Sequence, residues 1–116
     1  MGIFWHPDVL RHDPGRGCYE YAPSPLMAAD EPHPDTPERV LNLKSILERG
    51  PIRERLVWHA GRHATRQEIE RFHEAQYVEA VLAAERAGPT RIDGSGTVVA
   101  PGSVDAARAA ARSEEH

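Results

Sequence analysis

The stretch His33-Pro34-Asp35-Thr36-Pro37-Glu38-Arg39-Val40 decides how this chain is read. Thr36 followed by Pro37 is a helix start: the threonine brings a side-chain oxygen for the orphan amides of the first turn, and proline sits where no donor is needed. Val40, Leu43, Ile46 and Leu47 then fall on one face, and Gly50-Pro51 ends the segment, so a helix with an apolar stripe runs out of the motif. Before it, from Pro7 to Thr36, lies a stretch with six prolines, two glycines and neither a helical nor an alternating period. It reads as a loop. Loops of that length inside a compact domain are uncommon and are usually functional or disordered. The motif residues gathered in this one favour function.

Outward from the motif, Gly2-Ile3-Phe4-Trp5-His6 is a short apolar and aromatic run closed by Pro7, the pattern of a buried strand that ends where proline removes a ladder donor. Leu56-Val57-Trp58, between Arg55 and Gly61, is a second strand candidate. Thr65-Arg66-Gln67-Glu68 forms a capping box, and the helix it opens at about Arg66 should bury Ile69 and Phe72. Tyr77, Val78, Val81 and Leu82 carry a helical stripe on to Gly88-Pro89, with a break near His73 to Gln76, so the region is a helical pair or one kinked helix. Thr90 to Gly102 reads as a glycine-rich loop. Ser103 caps a last, alanine-rich helix with Asp105 in its first turn, where the helix dipole favours negative charge. That helix has little to bury, and its alanines need close packing against something large. Strand, loop, helix, strand and helices in this order begin a doubly wound α/β sheet with several strands still to come. Residues 1–112 form one segment of that architecture, and 113–116 a charged tail.

At 116 residues, with 40% hydrophobic and 28% charged residues, the chain has near-globular composition and the length to bury a core of its own. Fourteen Lys/Arg against eighteen Asp/Glu give a formal charge of -4, and the basic residues are scattered, which argues against nucleic acid as a direct partner. The single cysteine, Cys18, excludes an internal disulfide and any thiolate cluster, and makes a cytoplasmic setting the default. Met1 to Arg11 holds only short apolar pieces broken by His6, Pro7 and Asp8, and His6 stands where a myristoylation motif needs Ser or Thr. No membrane anchor is expected.

Seven histidines invite a metal reading. His59 and His63 are four apart, as in a helical zinc site, but Ala60 stands where that motif needs Glu, and the segment runs from strand into loop, so the helical geometry fails. His12-Asp13 and His33-Pro34-Asp35 place an imidazole beside a carboxylate, which could orient a catalytic group or simply staple the loop. No Gly-x-Ser-x-Gly elbow, Walker loop or dinucleotide fingerprint is present.

Taken together, Gly2-Ile3-Phe4-Trp5, His12-Asp13-Pro14-Gly15 and the His33 to Val40 motif resemble the start of bacterial class II-type histone deacetylases and acetylpolyamine amidohydrolases. Downstream, His63-Ala64-Thr65 with Glu68, then Phe72-His73 and Tyr77-Val78, resembles the same family. The resemblance runs over about residues 1 to 111. It implies an arginase-deacetylase fold, a parallel sheet of many strands flanked by helices, of which this chain is the N-terminal and incomplete portion. It also implies a zinc ion held by an Asp-x-His pair and a later Asp, a tandem His-His for acid-base work, and a tyrosine that steadies the oxyanion. This sequence has no His-His and no Asp-x-His. The expectation is therefore zinc for the complete domain, no metal bound by this chain alone, and no catalytic residue within it.

What remains resembles the family's supporting parts. The Pro7 to Thr36 loop resembles part of the rim of the acyl-lysine or acylpolyamine channel, which would make His12, Asp13 and His33 substrate-binding. Arg39 resembles an arginine near the internal cavity beneath the zinc; read from its residues alone, it is equally a surface arginine pairing with Glu38 or Asp35. Asp93 in Arg91-Ile92-Asp93-Gly94 resembles the rim aspartate that accepts from the substrate backbone, and equally makes an Asp-Gly turn. The function expected is the N-terminal segment of a zinc-dependent deacetylase acting on acetyl-lysine or acetylpolyamine amides, inactive alone. The alternative is a non-enzymatic helical interaction module or truncated remnant. Either way an unpaired strand edge and apolar helix faces favour self-association.

Overall fold

In the computed structural model, which describes residues 1–94 and 96–111, the N-terminal apolar run forms strand β1 (Gly2–Trp5) and breaks at Pro7 into a 3-10 turn, Pro7–Arg11. The long stretch that follows is not wholly irregular, as its lack of period suggested. Two-residue strands β2 (Arg16–Gly17) and β3 (Glu31–Pro32) pair antiparallel across it. No periodicity exists over two residues, so such strands leave no pattern to read. Gly17 is required at this pairing, because a Cβ there would lie 2.3 Å from the Tyr21 carbonyl oxygen.

Helix α1 (Pro37–Arg49) begins and ends where the sequence places it, with the Gly50 amide returning to the Ile46 carbonyl at 2.8 Å. Thr36 takes the extended N-cap backbone but makes no side-chain cap, contrary to expectation; proline at the first position already removes one of the amides that needs a partner. A 3-10 turn, Arg53–Arg55, leads into β4 (Val57–Ala60), which pairs parallel with β1 from Gly2–Val57 to Trp5–Ala60. Parallel neighbours need a long crossover, and α1 supplies it.

Alternation along this pair puts Ile3, Trp5, Trp58 and Ala60 on one face. Alpha-helix α1 covers that face with Val40, Leu47 and the stem of Lys44, whose ammonium lies 5.1 Å from the Trp5 ring and 5.2 Å from that of Trp58. On the opposite face Phe4 stacks on His59 at 4.9 Å between ring centres, and Val57 is exposed. One face of the pair is thus bare. Leu43 and Ile46 of the α1 stripe are also exposed, at 58% and 65%, so the stripe is wider than the surface it meets.

Helix α2 (Arg66–Ile69) opens with the expected capping box, Thr65 and Glu68 bonding each other's backbone amides. It lasts a single turn before the chain reaches α3 (Ala75–Arg86), which settles the region as a helical pair. The break rotates Phe72 away from the stripe, and it is 87% exposed where burial was expected. Arg66 ties the two helices through Glu70 and Glu79, and those carboxylates hold its guanidinium above the usual arginine range.

The Thr90 to Gly102 segment is a hairpin and not a plain loop: β5 (Thr90–Arg91) pairs antiparallel with β6 (Val98–Val99). Helix α4 (Ser103–Ala111) follows. Ser103 opens this helix without capping it. Gly102, at φ +95°, turns the chain so that the Ser103 hydroxyl accepts the Ala100 amide at 2.9 Å, and the cap on the Val104 amide comes instead from Glu85 of α3 at 2.7 Å. Far from having little to bury, α4 carries the centre of the core. Among the described residues the buried apolar ones are Ala64, Val98, Val99, Ala100, Ala106 and Ala109, all small. Alanine lets α4 approach the Pro7–Arg11 turn and the end of β4 closely, where Ala64 and Arg108 exchange backbone and side-chain bonds of 2.8 and 2.9 Å.

The result is a mixed α/β slab, 49 × 37 × 17 Å, with a radius of gyration of 16.2 Å, against about 13 Å for a compact domain of this length. Among the described residues no helix is long and apolar enough to cross a membrane. The charged tail, 113–116, lies outside the described residues.

Candidate functional site

His33 organises the site. It is 7% exposed, and its ring joins two segments. The Asp35 amide donates to Nδ1 at 3.0 Å; since an amide can only donate, Nδ1 is unprotonated, and the proton sits on Nε2, facing the Gly96 carbonyl at 2.9 Å. The motif is thereby locked to the β5–β6 hairpin across more than sixty residues of sequence.

Around His33 opens a cavity of about 450 Å³, lined by Glu20, Tyr21, Asp35, Arg39, Asp93 and Thr97 among others. Three carboxylates and one guanidinium line it. Arg39, in the first turn of α1, pairs with Asp35 as sequence proximity allows, and both side chains are more than half exposed. Asp93 holds the hairpin turn: Oδ1 accepts the Thr97 amide at 3.1 Å and Oδ2 the Thr97 hydroxyl at 2.6 Å, with Gly94 at φ +74° completing the Asp-Gly turn. His12 sits on the far side of Asp35, its Nε2 3.3 Å from that carboxylate and its Nδ1 2.8 Å from the Ser103 hydroxyl. A second cavity of about 390 Å³ opens there, mostly apolar, between α1, α3 and α4.

The fold thus gathers His12, His33, Arg39 and Asp93 in one neighbourhood. Asp13 is not part of it; its carboxylate accepts the Gly15 amide at 3.0 Å, the role of a turn residue. Glu20 and Tyr21 were not singled out from sequence, and nothing local marks them, since they reach the cavity only because Arg91 anchors the Glu20 carbonyl to the hairpin.

Residues 33–114, which contain the motif, the cavity-lining hairpin and α4, match the family of the histone deacetylase domain. The chain belongs to the histone deacetylase family. It is 37% identical over 112 residues to Histone deacetylase 8 of Arabidopsis thaliana, an alignment that covers 96% of this chain and 30% of that protein. The chain therefore spans under a third of the length of the relative it matches.

Zinc is the metal the family suggests, and this deacetylase segment lacks the ligand pattern of the catalytic zinc. The sequence contains neither Asp-x-His nor His-His. The metal-ligating side chains that the fold brings together among the described residues are His6, Asp8 and His63, where His6-Pro7-Asp8 runs in the reverse order. His59, four residues before His63, stands apart from this group and stacks on Phe4 on the bare sheet face, in keeping with the failure of the helical pair geometry.

Proposed function

We propose that this chain is the N-terminal segment of a zinc-dependent amidohydrolase of bacterial class II or acetylpolyamine type, with the arginase-deacetylase arrangement in the complete domain. Residues 1–112 form its rim and first sheet layer, and the chain alone is inactive. The cavity around His33 is the observation that carries this reading. His33 holds the motif against the hairpin whose turn Asp93 closes, and Glu20, Asp35 and Asp93 lend the opening a negative field. Such a field draws the free ammonium groups of an acetylated polyamine, or the basic residues flanking an acetyl-lysine, toward the opening. His12 and Asp13 belong to the same rim loop, and Arg39 lines the cavity from its exposed side, where its cation pairs with Asp35. The acetyl-amide is cleaved by groups that this chain does not contain.

The experiment is an amidohydrolase assay of the chain, loaded with zinc, on an acetyl-lysine peptide and on an acetylated polyamine. No turnover above background is expected, and turnover would overturn the reading. Sequencing the gene beyond codon 116 supplies the positive arm: Asp-x-His and His-His should follow. A stop codon in their place would favour an interaction module, for which the exposed Leu43, Ile46 and Phe72 would be the surface.

A further inference from the structure

We infer that His6, Asp8 and His63 form a binding site for one divalent cation of zinc type. The site is independent of the deacetylase reading and departs from the expectation that the chain alone binds no metal. His6 directly follows β1, Asp8 lies in the 3-10 turn beyond it, and His63 follows β4. The parallel register from Gly2–Val57 to Trp5–Ala60, extended by the Gly61 amide to the Trp5 carbonyl at 2.8 Å, fixes both strand ends side by side. Two rigid elements therefore deliver the histidines to one spot. Their ring centres are 4.7 Å apart, and donor atoms from all three residues lie within 4.8 Å of one another.

The chemistry of these atoms favours a cation. Nδ1 of His6 accepts the Asp8 amide at 3.1 Å, so it carries a lone pair and no proton, and that lone pair points at the turn bearing Asp8. Nε2 of His63 is 2.8 Å from the Asp8 carboxylate, and Nδ1 of His6 is 4.0 Å from the same oxygen. In the metal-free protein a proton joins His63 to Asp8. A cation replaces it: the proton leaves Nε2, for Nδ1 of the same ring or for solvent, and the cation takes the freed lone pair, the Asp8 oxygen and Nδ1 of His6 in exchange for the amide. All three side chains are about a quarter exposed, which leaves water to complete a four-coordinate shell. Two imidazoles with one carboxylate suit zinc, cobalt or nickel and not calcium or magnesium, which need oxygen donors. Arg11, 4.0 Å from Asp8, competes for the carboxylate, but its own guanidinium is bound to Asp105. The bound ion would pin the Pro7–Arg11 turn, on which α4 packs, to the end of the parallel pair.

The test is a calorimetric titration of the chelator-treated chain with Zn²⁺, repeated with Co²⁺ to read coordination from its visible bands. One equivalent should bind with a tetrahedral cobalt spectrum. His63→Gln and Asp8→Asn should each weaken binding at least about tenfold, the loss that removing even a supporting group of a metal site produces. His59→Gln and His73→Gln should leave it unchanged. Absence of stoichiometric binding, or undiminished binding by His63→Gln, overturns the site. Should that variant not fold, imidazole nitrogen NMR of the parent chain decides: Zn²⁺ must move the His6 and His63 signals, and unmoved signals refute the assignment.

Discussion

Replacing His33 tests the arrangement of the candidate site most sharply, because its ring makes two bonds that a smaller side chain can separate. His33→Ala removes both the bond from the Asp35 amide and the bond to the Gly96 carbonyl. At about 1 kcal/mol each, and with about 1 kcal/mol more for the lost burial of the ring, the variant should be less stable by about 3 kcal/mol. That is roughly a hundredfold in the folding equilibrium. His33→Asn keeps an acceptor two residues before the Asp35 amide, as turn asparagines do, but cannot span to Gly96, so it should cost about half as much. Urea unfolding followed by the fluorescence of Trp5 and Trp58 reads both values. A nitrogen-15 spectrum of the parent should show His33 as the Nε2–H tautomer, the only one compatible with an amide donating to Nδ1. Equal destabilisation by the two substitutions, or a Nδ1–H ring, would refute the bridging role and detach the hairpin from the motif.

Two further substitutions follow from the packing. Gly102→Ala forces a side chain into the left-handed region and places its Cβ 2.7 Å from the Arg11 carbonyl oxygen, so thermal unfolding should shift down by an amount equivalent to about 2 kcal/mol or more; an unchanged midpoint would mean that α4 is not seated on the Pro7–Arg11 turn. The parent chain should self-associate in sedimentation velocity, and Ile46→Lys, at a residue 65% exposed on the α1 stripe, should raise the monomer fraction, whereas a parent that runs as a clean monomer would count against that surface being sticky.

Elements whose causes are local were legible before any coordinates. The capping box at Thr65, proline at the start of α1 and glycine-proline stops at Gly50 and Gly88 act within one or two turns, and all of them stand where the residues put them. Errors arose where a distant segment overrides a local preference. Ser103 has the chemistry of a cap, yet Glu85 reaches the same helix end from α3, leaving the serine to Ala100 and His12. Phe72 follows the helical period of α2 on paper, but a period carries no meaning once the chain leaves the helix at Glu70. The alanine-rich helix looked poor in buried surface because apolar area was weighed by side-chain size. Close approach of backbones rewards the opposite choice, and Ala109 is fully buried.

The candidate site shows the same division. The histidine-acid-arginine motif marks its own importance, since Asp35 bonds His33 two residues before it and Arg39 four residues after it. Asp93 and Glu20 become part of that site only through bonds made by His33 and Arg91 to segments far along the chain. One sequence offers no signal for such pairings. Yet the described lining of the cavity comes from three separate stretches of this chain, while the patterns for zinc and acid-base chemistry are absent from its sequence. If the proposed role holds, recognition of the cationic substrate and cleavage of its amide are written in separate stretches of sequence. A rim built from its own hydrogen bonds can then hold its geometry whether or not the metal centre is assembled beside it, and substitutions at His33 or Asp93 should alter substrate binding without touching the group that attacks the amide.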